Sequence, residues 1–134
     1  MRRSATAVVT LLVVGTVAGG QPPKGDPRAE IFVRRGCTDC HVISGLGARA
    51  AADVGPDLTY AYADVVTRYG TNLESFLADP TGVMRLMLAS HLHLSVRDRD
   101  SMVNVLKRLY CERRAELDEA IPSLPLGKVA RCPP

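Results

Sequence analysis

The sequence predicts an all-α fold, and three observations carry that prediction. No strand pattern stands out, and the alternation around His91-Leu92-His93 reads as a partly exposed loop. Helix-start signals recur instead. Asp26-Pro27, Thr71 with Glu74, and Ser95 with Asp98 each set a capping residue at the head of a segment with helical apolar spacing. Finally, Met102, Val103, Leu106, Leu109 and Tyr110 fall on one face at helical spacing and make the most amphipathic segment of the chain. A length of 134 residues accommodates one domain.

The chain opens with Met1-Arg2-Arg3, an apolar run from Ala5 to Ala18, and the small residues Val17-Ala18-Gly19-Gly20. That order is the pattern of a secretory signal peptide over residues 1–20, with cleavage near residues 19–21. The rival is an uncleaved anchor. The apolar run is shorter than the roughly 20 residues that a bilayer-spanning helix needs, so no permanent membrane anchor is expected. The Arg pair lacks the rest of a twin-arginine signal, and no Cys follows the run to take a lipid. Export would place the mature chain in the periplasm. Without Arg2 and Arg3, the seventeen basic residues become fifteen against fourteen acidic ones. A net charge near zero, with no basic patch interleaved with aromatics, excludes a nucleic-acid partner. Aromatics are few, with two Phe, four Tyr and no Trp. A core so poor in large side chains is thin unless something else fills it.

Residues 21–25, with Pro22 and Pro23, read as a flexible lead-in, and the folded domain is expected over 26–110. Asp26 is a candidate N-cap with Pro27 in the first turn. Ala29, Ile31, Phe32 and Val33 give the helix its apolar content, and Gly36 can end it in a left-handed conformation. Residues 44–54 are small and polar and predict a loop, with room for a helical turn near Ala48 to Ala52. Gly55-Pro56-Asp57-Leu58-Thr59 is a turn signal. A short helix is expected from Tyr60 to Tyr69, ended by Gly70. The next starts at a capping box, Thr71 with Glu74, and stops at Asp79-Pro80 because a residue before proline disfavours the helical region. Thr81-Gly82 is expected to open a loop carrying Met84 and Met87. Ser95 then caps the last helix, and a charged and Pro-rich segment follows Cys111.

Between the first helix and the loop stands Cys37-Thr38-Asp39-Cys40-His41. C-x-x-C-H is the attachment signature of a c-type haem. Two thiols two residues apart in a tight turn can reach the two vinyl groups on one edge of a porphyrin, and the next residue presents an imidazole to the iron. A zinc site would want a second close pair of Cys or His, which Cys111 and Cys132 do not make. A thioredoxin-type pair would follow a strand, and none is evident. One covalently attached haem c, with Cys37 and Cys40 as its thioether residues and His41 as proximal iron ligand, is the cofactor expected.

Over nearly all of Asp26 to Tyr110, the chain resembles the class I cytochromes c, the small monohaem electron carriers. The resemblance rests on the order of its motifs. Phe32 lies in a first helix before the C-x-x-C-H. Gly55-Pro56-Asp57-Leu58 is similar to the family's G-P-x-L segment, and Phe76-Leu77-Ala78-Asp79-Pro80 ends a middle helix. A Gly-containing methionine loop and a final amphipathic helix follow. The resemblance implies class I cytochrome c-like helices wrapped around the haem. In that arrangement, first and last helices cross through Phe32 and Leu106, and the Pro56 carbonyl takes a hydrogen bond from the free nitrogen of His41. Such a bond fixes the ring orientation and tautomer of an iron ligand. It also implies a methionine as distal ligand. Pro80-Thr81-Gly82-Val83-Met84 is similar to the family's ligand segment and favours Met84, although Arg85 stands where a proline is expected. Counting back from Leu106 favours Met87 instead, and His91 and His93 are further candidates. Arg28 departs from the family at a position where a small residue meets the last helix, and Val105-Leu106 departs where an aromatic often precedes the Leu.

Cys111 and Cys132 remain. In an oxidising compartment they are expected to pair, which would tie the C-terminal extension, residues 111–134, to the end of the last helix. Tyr60, Tyr62, Arg49 and Arg68 are candidate partners of the haem propionates, with nothing in the sequence to separate them. The function implied is a monohaem c-type cytochrome that carries single electrons between a redox donor and an acceptor and is not an enzyme. The alternatives are a haem-bearing electron-transfer subunit of a larger periplasmic oxidoreductase, and a gas-binding sensor if the sixth position is open.

Overall fold

The computed structural model describes residues 25–52, 54–120 and 132. The expected signal segment and nearly all of the Pro-rich C-terminal stretch lie outside those residues. The described part is all-α, as expected. It has five α-helices: α1 (Glu30–Arg34), α2 (Ala61–Tyr69), α3 (Leu73–Ala78), α4 (Gly82–Ser90) and α5 (Val96–Ala120). Short 3-10 turns stand at Pro27–Ala29, Cys37–Asp39, Ser44–Leu46 and Leu58–Tyr60. Among the described residues there is no strand, only one isolated antiparallel bridge between Ile43 and Ala48.

The helix boundaries follow from local chemistry. The Asp26 side chain accepts a hydrogen bond from the Arg28 N–H and Pro27 begins the first turn, so the chain enters α1 as the sequence predicts. The hydrogen bonds from Arg28 hold the Asp26 carboxyl below the usual carboxylate range. Gly36 leaves α1 at φ 75°, a left-handed conformation that the absence of a Cβ permits. Gly70 ends α2 in the same way at φ 66°. The α3 helix stops at Ala78, ahead of Pro80. At the start of α5, Ser95 Oγ accepts from the Asp98 N–H, and the Asp98 carboxylate accepts in return from the Ser95 N–H and hydroxyl. The hydrogen bond from the Ser95 side chain, helped by Arg35 at 2.8 Å, holds Asp98 below its ordinary range.

Three expectations are corrected. The cap of α3 is Asn72, whose side chain accepts from the Ser75 N–H at 2.7 Å, and not Thr71. The helical turn in the 44–54 segment lies at Ser44–Leu46 rather than near Ala48 to Ala52. The methionine segment is a helix and not a loop, because Met84, Arg85, Leu86, Met87, Leu88 and Ala89 are all good helix formers. The last helix runs on past Tyr110 through the charged stretch to Ala120.

One buried cluster joins the elements. It contains Ala29 and Phe32 from the N-terminal helical segment, Ile43 and Leu46 from the following turn, and Ala61 and Val65 from α2. Leu73 and Phe76 come from α3, and Met102, Val103, Leu106 and Leu109 from α5. Phe32 and Leu106 are thus both core residues, and α1 contacts α5. Burying a Phe or Leu fully stabilises a fold by about 1.5–3 kcal/mol. Arg28 stays outside this core. Its guanidinium bridges Asp26 and Glu112, each at 2.8 Å, and so clasps the entry of the domain to α5, while the small residue buried at that level is Ala29. Behind α2 and α5, Ala63 and Tyr110 form a second buried group, with Tyr62, Cys111 and Cys132 packed on it. The Tyr62 and Tyr110 ring centroids are 5.8 Å apart. Cys111 and Cys132 form a disulfide with a Cα–Cα distance of 5.6 Å.

Candidate functional site

The left-handed Gly36 turns the chain out of α1 directly into a 3-10 turn made by Cys37, Thr38 and Asp39. The His41 N–H bonds to the Cys37 carbonyl at 3.0 Å, which closes the turn and brings Cys37, Cys40 and His41 onto one compact loop. Both thiols are free and half-buried. Burial pushes the Cys37 thiol up to about 11, so it is protonated at neutral pH. Thr38 is buried beneath the turn.

The next stretch folds back on this turn. Ala51 N–H bonds to the Thr38 carbonyl, Ala52 N–H to the Asp39 carbonyl, Gly55 N–H to the Cys40 carbonyl and Leu58 N–H to the Val42 carbonyl, all within 2.8–3.0 Å. This ladder delivers Gly55 and Pro56 to the His41 ring. The Pro56 carbonyl lies 2.8 Å from His41 Nδ1. A carbonyl oxygen can only accept, so Nδ1 carries the proton and Nε2 keeps its lone pair. Gly55 lies flat against the same ring, and a Cβ there would collide with the imidazole. The loop is pinned further on by Asp57, whose carboxylate accepts from the Ser44 N–H and hydroxyl and from the Thr59 N–H and hydroxyl. Burial works to raise Asp57, but these bonds outweigh it and hold the carboxyl below its ordinary value.

The distal candidates separate by packing. Met84 and Met87 both lie on α4 and are half-buried. Met84 packs against the main buried cluster, as does Cys37, whereas Met87 takes no part in that packing. His91 and His93 are exposed beyond the end of α4. Although apolar, α4 buries none of its residues, and Val83 and Leu86 are largely exposed. The four propionate candidates scatter. Tyr62 is engaged with Tyr110 and Lys107, and Arg68 pairs with Asp64 at 3.6 Å. Tyr60 is half-buried and Arg49 exposed. None of the four hydrogen-bonds to residues 37–41 among the described residues.

The structure therefore brings together Cys37, Cys40, His41 and Pro56. It adds Gly55 and the Ser44–Asp57–Thr59 network, which sequence reasoning did not assign to the site. The turn signal at residues 55–59 and the G-P-x-L resemblance were traces of Gly55, Asp57 and Thr59, and Ser44 had none. Two free thiols can hold a cofactor covalently, and an imidazole whose Nδ1 is committed to a carbonyl can ligate a metal through Nε2. No family model, curated protein or solved structure matches this chain. Among the described residues, no group of three or more His, Cys, Asp or Glu could hold a metal ion by itself, and no helix is long and apolar enough to cross a membrane.

Proposed function

We propose that the chain is a monohaem c-type cytochrome of the class I kind, which passes single electrons between redox proteins after export. The observation that carries this reading is the His41 arrangement. An imidazole whose Nδ1 proton is committed to the Pro56 carbonyl, whose ring is cradled by Gly55, and which follows two free thiols in one turn has the donor set that a covalent haem needs. Cys37 and Cys40 would hold the group by thioethers, each an S–H added across a vinyl double bond.

Further support comes from α4. A helix that is apolar but buries nothing, with Met84 against the same core as Cys37, is a surface that a large apolar group would complete. Met84 is the distal ligand in this reading. When bound, the iron supplies the one-electron chemistry, and the protein's residues set its environment. His41 is held in one tautomer by the Pro56 carbonyl, and Met84, packed on the buried cluster, offers a thioether. The Cys111–Cys132 link fits an oxidising compartment such as the periplasm.

The test uses the exported, haem-loaded protein. A reversible one-electron redox titration, a ferric methionine-to-iron charge-transfer band and slow CO binding by the ferrous form are expected. Replacing Met84 by Ala removes the band, and replacing Met87 by Ala leaves it. Fast CO binding by the unmodified protein, without that band, would turn the assignment to a gas-binding haem protein. Comigration of the native protein with a large catalytic subunit would turn it to a subunit of an oxidoreductase.

A further inference from the structure

The α4 helix is poorly anchored for an element asked to present an iron ligand. None of its residues is buried. Its N-cap, Thr81, makes no side-chain capping bond, and Gly82 enters the helix at φ 60°. The Ser90 hydroxyl bonds to Leu86, within the helix itself. Among the described residues, the side-chain hydrogen bonds that leave α4 for the preceding segment come from one residue, Arg85. Its Nε donates to the Pro80 carbonyl at 3.0 Å, and its guanidinium donates to Asp79 Oδ1 at 3.2 Å. Pro80 is buried, so that contact fastens the helix to a fixed point of the core. The ion pair with Asp79 is largely exposed and adds little. Met84, immediately before Arg85, is the α4 residue that packs on the buried cluster.

We propose that Arg85 is a positioning residue: by tying the start of α4 to the Pro80 carbonyl, it holds Met84 in place as distal ligand. This rests on the reading of Met84 given above. A guanidinium spans both acceptors with a rigid fork, which a lysine ammonium cannot reproduce. The position is exposed, so the fold tolerates its replacement.

The experiment compares haem-loaded wild type with Arg85→Ala and Arg85→Lys at equal covalent haem content. It reads hydrogen exchange of the amides over 82–90 and the CO association rate of the ferrous protein. Loss of one charge-assisted hydrogen bond raises the open population of a locally opening segment about tenfold. Both variants are expected to exchange faster in α4 and to bind CO faster, each by about that factor. Unchanged exchange and CO rates in Arg85→Ala overturn the proposal. So does wild-type behaviour of Arg85→Lys, which would show that the positive charge suffices. Met84→Ala distinguishes the two levels of the argument. If it keeps the charge-transfer band, the ligand reading falls and the positioning role with it. If it loses the band while Arg85→Ala behaves as wild type, only the positioning role falls.

Discussion

Replacing Gly55 by alanine tests the geometry around His41 at its tightest point. The backbone at Gly55 is not in the left-handed region, so an added methyl meets no strain of its own. Its whole effect is the collision with the imidazole. Overpacking of this kind costs about 1–3 kcal/mol. Turning the ring away to relieve it loses the bond from Nδ1 to the Pro56 carbonyl, worth about 1 kcal/mol. Alanine returns about 0.4–1 kcal/mol by restricting the unfolded chain. The net is a destabilisation of about 1–3 kcal/mol, or a fall in Tm of roughly 10 °C for a domain of this size. Gly25→Ala is the control, since its nearest neighbour, the Leu46 carbonyl oxygen, lies at an ordinary 3.7 Å. Thermal unfolding of the haem-loaded protein, followed by circular dichroism, gives the comparison. If His41 ligates a haem iron as proposed, the ferric spectrum should also gain a high-spin component as the ring loosens. A Gly55→Ala protein as stable as Gly25→Ala, with an unchanged spectrum, would refute the reasoning.

Other outcomes follow from the packing and the charges. Leu106→Ala removes a side chain buried among α1, α3 and α5 residues and should cost about 2–5 kcal/mol in denaturant unfolding. Replacing Cys111 and Cys132 together by Ser opens a loop of about 20 residues, for which the chain-entropy model gives about 3 kcal/mol. Under the proposed haem reading the visible spectrum should not change, because the disulfide packs against Tyr110 and Ala63. Asp57 has a folded-state value below the ordinary 3.8, so its contribution is present above that value and is lost as pH falls from 3.8 through the lower folded value. Asp57→Asn should therefore be less stable than wild type at neutral pH, and the gap should narrow in acid, as measured by unfolding at several pH values.

What could be read in the sequence was what is decided within a few residues. Asp26, Gly36, Pro80 and Ser95 each act on their own turn of chain, and the helix boundaries they predict are where the structure has them. Thr71 and Asn72 show the limit of this. Two adjacent residues can both cap, and the sequence does not say which side chain faces the open N–H. In the methionine segment a run of good helix formers outweighs the resemblance to a loop. At the site, the Cys37, Cys40 and His41 trio was legible from spacing. Gly55 against the ring, Arg85 on the Pro80 carbonyl and Arg28 on Glu112 were not. Each is a meeting of side chain and partner set by how the elements pack, and no local pattern records it.

The central claim is that Cys37 and Cys40 hold a haem covalently with His41 on its iron. The most direct measurement is made on the protein exported by a host competent in c-type haem attachment, denatured and then extracted with acidified organic solvent. The account predicts that one haem per chain stays with the polypeptide, and that replacing Cys37 and Cys40 together by Ser abolishes this. A wild-type chain that yields all its haem to the solvent, or that carries none while a known c-type cytochrome from the same host is fully loaded, would contradict it.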